Sequence, residues 1–158
     1  MANLRFELEY DWEPFILEGR HLTFKQHQTA RLYKSKCSHW GAAIYKWEGI
    51  LTEGPMAGNT GILIGETDDL RQRIKQYVGG TQKSGNVYWR DNFLTKGDIR
   101  LNIFRLKTTY FWIDGSAKLD LDLQDLSSGN RRVFYEQLLI MHEVIEDRPN
   151  TWIVNRKL

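Results

Sequence analysis

Among the side chains able to do chemistry, Arg73 and Tyr77 stand one helical turn apart and face the same side of the segment that carries them. An arginine offers a planar fork that fits two phosphate oxygens at once. Glu136 precedes the run Gln137-Leu138-Leu139-Ile140, and a carboxylate oxygen is the ligand that hard cations such as Mg²⁺ prefer. Tyr45 lies in the short apolar segment GAAIYKW and supplies a phenol, a poor base at neutral pH. Taken singly, each has a plainer reading: a core aromatic for the tyrosines, a solvated helix charge for the arginine and the glutamate. The histidines (His21, His27, His39 and His142) show no HxH or HExxH spacing, which argues against zinc. The single cysteine, Cys37, allows no internal disulfide and points to a reducing, cytoplasmic compartment.

The elements that must position these groups follow from periodicity. LRFELEY at the start alternates as a half-buried strand, whereas Asp11 to Ser38 show no clean period. Gly41–Trp47 and Thr60–Gly65 read as a β-hairpin with a long loop. A helix follows, capped by Thr67 or Asp68, carrying Leu70, Ile74 and Tyr77 on its apolar side and stopped by Gly79-Gly80. VYWRDNFLTKG reads as a short helix or a loop, Ile99–Leu106 and Thr108–Ile113 as strands, and Leu119–Leu126 as alternating Leu with acids. The last strong element is a helix from Asn130 to Ile145 with Val133, Phe134, Leu138, Met141 and Ile145 as its core face. The expected class is α+β, a small central antiparallel sheet of about three core strands flanked by helices.

In order and spacing, these residues resemble the GIY-YIG nuclease superfamily. Ala43-Ile44-Tyr45 stands where that family has Gly-Ile-Tyr, and Leu63-Ile64-Gly65 where it has Tyr-Ile-Gly. Arg73, Tyr77, Glu136 and Asn155 fall at its arginine, its second helix-borne tyrosine or histidine, its metal-binding glutamate and its closing asparagine. The resemblance covers roughly residues 41–158 and implies a metal-dependent endonuclease acting on DNA. Catalysis would fall to Tyr45, Arg73, Tyr77 and Glu136, with Glu136 holding one Mg²⁺ or Mn²⁺ ion. It assigns Tyr45 to orienting or deprotonating the attacking water and Asn155 to positioning the phosphate. Leu63 carries no hydroxyl, so that role is vacant or passes to a neighbour such as Tyr77.

Residues 1–40 lie outside the resemblance and read as an extension packed on the 41–158 domain, a candidate for substrate contact. Net charge is only +2, but Gly19–Trp47 holds six basic residues and no acid. Lys46 at the end of that stretch and His39 before the first motif strand are further candidates for substrate contact. No apolar run approaches the roughly 20 residues of a membrane span. Cutting both strands of a duplex calls for a homodimer, since one site handles one strand. Two other functions fit the same pattern: a protein of this fold that binds nucleic acid without cutting it, and a protein-interaction module whose aromatics are core.

Overall fold

The computed structural model describes residues 1–37, 40–80, 85–118 and 125–155. The opening alternation extends beyond LRFELEY into β1 (Leu4–Pro14), with Phe6, Leu8, Tyr10 and Trp12 packed on an apolar cluster and charged residues between them facing out. The segment without clean periodicity becomes a small hairpin, β2 (Ile16–Leu17) and β3 (Arg20–His21), and the short helix α1 (Phe24–Ala30). Glu18 and Gly19 both adopt positive φ at the hairpin turn, the geometry of a two-residue connection. A capping box starts α1: the Gln26 N–H donates to the Thr23 hydroxyl, and the Gln26 side chain accepts from the Thr23 N–H.

β4 (Ala43–Ile50) and β5 (Thr60–Thr67) form the expected antiparallel pair. α2 (Leu70–Gly79) follows; its N-cap is Asp69, whose carboxylate accepts from the Gln72 N–H at 2.9 Å, and not Thr67 or Asp68. Thr67 instead ties the bend through its hydroxyl to the Asp69 backbone. The segment read as helix or loop is α3 (Gly85–Trp89) running into a π-helical turn over Arg90–Leu94. The two strands expected after it join as one, β6 (Arg100–Ile113), because a β-bulge opposite Glu9 and Tyr10 absorbs Lys107 without ending the ladder. β7 (Ser116–Lys118), α4 (Gly129–Glu146) and β8 (Thr151–Ile153) complete the described elements. Most of the Leu-and-acid alternation, residues 119–124, lies outside the described residues.

The sheet is larger than three strands. Among the described residues it has six, in the order β1-β6-β4-β5-β8 with β7 on β6, and it is mixed because β8 runs parallel to β5. In the N-terminal segment β1 pairs with β6 along its whole length, and Phe15, Leu17, Phe24 and Leu32 enter a core cluster with Tyr45 and Trp47. That cluster, on one face of the sheet, takes Leu70, Ile74 and Tyr77 from α2 and Phe93 from the π turn. The other face holds Ile44, Ile62, Ile64 and Phe104 under Tyr135 and Leu139 of α4.

α4 departs most from its sequence pattern. Its buried residues are Arg132, Tyr135, Leu139 and Glu143, whereas Val133, Phe134, Met141 and Ile145 are exposed and Leu138 is half-buried. The helix is thus rolled by roughly 150° from the orientation its apolar stripe implies, counting 3.6 residues per turn. Charge pairing overrides apolarity: buried Arg132 meets Glu66 on β5, and buried Glu143 meets Arg148 and, at 3.9 Å, Lys46 on β4. Among the described residues no helix is long and apolar enough to cross a membrane.

Candidate active site

The hairpin register sets Tyr45 directly opposite Gly65. Here a glycine is required by space: a Cβ at Gly65 would overlap the hydroxyl and ring of Tyr45. α2, started by the Asp69 cap, lays Leu70, Ile74 and Tyr77 against the same face, and the Tyr45 and Tyr77 hydroxyls hydrogen-bond at 3.0 Å. Their rings meet edge to face, beside Trp47.

Burial governs what these phenols can do. Tyr45 is 2% and Tyr77 3% exposed. Burial pushes the Tyr45 phenol well above its usual range, the neighbouring Tyr77 adds to this, and the Arg73 charge opposes it. Tyr77 is also raised by burial, partly offset by its bond to Tyr45 and by Arg73. Both therefore stay neutral across the working range. In this arrangement Tyr45 can orient a group through its hydroxyl, but it is even less suited to deprotonating water than a free phenol.

The groups nearer solvent are charged and half-buried. The Arg73 guanidinium reaches the Glu66 carbonyl oxygen at 3.4 Å, a long contact. Glu136 comes from α4 on the far side of the sheet. Its carboxylate is raised above the usual range, first by burial and next by the Glu66 carboxylate; bonds from the Gln137 side chain and the Glu66 backbone, and the Arg73 charge, act the other way. Arg132, 5% exposed, holds Glu66 in place: its Nε donates to Glu66 Oε2 at 2.8 Å and its Nη1 to the Leu126 and Ser127 carbonyls at 3.0 and 2.7 Å.

Tyr45 and Tyr77 are thus in direct contact, and the charges of Arg73 on α2 and Glu136 on α4 act on both phenols. Of the remaining sequence candidates, Asn155 and Lys46 have other partners. Asn155 spends both ends of its carboxamide on Ile64, accepting from the backbone N–H at 2.8 Å and donating to the carbonyl at 2.7 Å, which extends the β5 edge beyond β8. Lys46 lies on the opposite face of β4 from Tyr45, 7% exposed, paired with Glu48 at 2.7 Å and set over the Trp12 ring. His39 lies outside the described residues. Leu63 is a core residue across from Trp47, and the hydroxyl that touches Tyr45 is that of Tyr77.

Arg132 was not among the sequence candidates, and the sequence does not mark it: it lies on the helix face opposite the apolar stripe, where a polar residue is the expected one.

The Glu66 carboxylate adds to the cost of ionising Glu136, while Glu66 itself is paired with Arg132. Among the described residues no group of three or more His, Cys, Asp or Glu side chains could hold a metal. An ion here would rely on one or two carboxylates and keep several waters, the habit of Mg²⁺.

The chain matches no protein-family model, no curated protein and no solved structure.

Proposed function

We propose that this protein is a metal-dependent endonuclease that hydrolyses phosphodiester bonds in DNA. The observation that carries the reading is the Tyr45–Tyr77 hydroxyl pair with the charges of Arg73 and Glu136 acting on it. These are the positions that the likeness to GIY-YIG nucleases singles out. Glu136, with Glu66 beside it, would hold one Mg²⁺ or Mn²⁺, which when bound offsets charge on the phosphate and the leaving oxygen. Arg73 presents its donors to the phosphate and stabilises the charge that builds there. The tyrosine pair sets the wall behind the arginine and excludes water from it. Exposed Arg31 and Lys75 line a groove between α2 and the turn after α1, a basic surface that would attract the nucleic-acid backbone.

The enclosure of both tyrosine hydroxyls favours one second reading, binding of nucleic acid without turnover. Supercoiled plasmid incubated with Mg²⁺, Mn²⁺ or chelator separates the two. The nuclease reading expects nicking by the wild type only with metal, and none by Glu136→Ala or Arg73→Ala. An inert wild type with a salt-dependent gel shift would establish the second.

A further inference from the structure

The stripe that α4 keeps out of the core is a surface in its own right. Phe134 is 38% exposed, Met141 52% and Ile145 72%, with half-buried Leu138 between them. β1 continues it: Phe6 packs edge-on to Phe134, Leu8 lines the groove beside Leu138 and Met141, and exposed Leu4 pairs with exposed Ile113. Contiguous apolar surface of this kind marks an interaction site.

Two features specify the occupant. Along the helix the stripe is spaced four, three, four, which reads the same in both directions. An antiparallel copy of α4 would set Phe134 against Ile145 of that copy, and Leu138 against its Met141. The charges agree. The first turn of α4 contains Arg131 and no acid; its end has Glu146 and then Asp147, and no base in the last turn. Both ends therefore oppose the helix's own dipole, and an antiparallel copy brings the opposite charge and the opposite dipole end to each. The present partners of these groups, Asp125 for Arg131 and His142 for Glu146, are 3.4 Å ion pairs at the surface, weak enough to be exchanged.

We propose that this face is the two-fold interface of a homodimer, with α4 packed antiparallel on α4 of a second copy. Leu4, Phe6, Leu8 and Ile113 extend the contact toward the ~800 Å² per partner that a stable interface buries. The inference does not rest on the nuclease reading.

The test is light scattering and sedimentation of the full chain at micromolar concentration. The wild type should show twice the 18.6 kDa of one chain. The double variant Met141→Glu/Ile145→Glu should show the single-chain mass with an unchanged far-UV spectrum, because neither residue is in the core. Arg131→Glu should weaken the dimer about tenfold, roughly 1.4 kcal/mol, and adding Glu146→Arg should restore it. A wild type of single-chain mass overturns the proposal, whether the face then binds lipid vesicles or nothing. So does a dimer indifferent to Met141→Glu/Ile145→Glu, and a charge reversal that is not rescued overturns the antiparallel arrangement.

Discussion

Replacing Arg132 by methionine tests whether the site is held by charge. Methionine keeps most of the side-chain volume but removes three hydrogen bonds, to Glu66, Leu126 and Ser127. Breaking a buried ion pair from one side costs about 3–5 kcal/mol because the partner is left charged and unpaired. The Glu66 side chain is 24% exposed, so water recovers part of this and the lower end, about 3 kcal/mol, is expected. For a domain of this size that is a fall in Tm of roughly 6–12 °C. The assay is thermal unfolding by circular dichroism of Arg132→Met, Glu66→Gln and the double variant at neutral pH. Neutralising Glu66 removes the orphaned charge, so the double variant should recover a large part of the loss. A fall of less than about 2 °C for Arg132→Met, or a double variant no more stable than the single one, would refute the reasoning.

Glu136→Gln should stabilise the fold at neutral pH while abolishing activity. Its raised carboxyl means the folded protein holds the proton more tightly than the unfolded chain, so this group's contribution improves as pH falls through the raised value. The variant should lose that gain on acidification, and Mg²⁺ should raise the Tm of the wild type only. His27, fully buried with neither ring nitrogen hydrogen-bonded among the described residues, is lowered to about 4 from 6.5 by burial and by His21. The unfolded chain takes up this proton first as pH falls from about 6.5 to 4, a loss of roughly 3 kcal/mol at 1.36 per unit, and His27→Leu should flatten that part of the stability–pH curve. Tyr45→Phe strands the Tyr77 hydroxyl and should cost about 1–3 kcal/mol in urea unfolding, whereas Tyr45→Phe/Tyr77→Phe should cost less than either single change predicts. Gly65→Ala should displace Tyr45 and lower nicking with no change in bulk helix content, measured on the same plasmid substrate.

The hairpin that carries Tyr45 and the helix that carries Arg73 and Tyr77 were legible because apolar period and burial coincide there: Leu70, Ile74 and Tyr77 recur at helical spacing and all three are buried. The capping box of Thr23 and Gln26 was equally readable, and it marks α1 inside the stretch that hydropathy leaves blank. α4 was not legible, since its partners are charges on strands far away in sequence. No local pattern says that Arg132 will find Glu66 or that Glu143 will find Lys46. The sheet was under-counted for a related reason: β8 is three residues long and Asn155 completes its edge through a side chain, which no strand periodicity reports.

Those two ionic contacts have a consequence for register. Arg132 and Glu143 lie about three turns apart on α4, one engaged with β5 and the other with β4. Leucines in their places would let the helix slide or roll against the sheet at little cost, as greasy surfaces do. Charges cannot: moving α4 by one turn, or turning it by one residue, strands both pairs at once. They act as indexing pins, and Glu136 lies between them. On this hypothesis α4 repacked with Arg132→Met and Glu143→Leu against neutralised partners would keep its melting temperature yet show exchange-broadened NMR signals around Glu136. Sharp, unshifted signals would assign the indexing to ordinary packing.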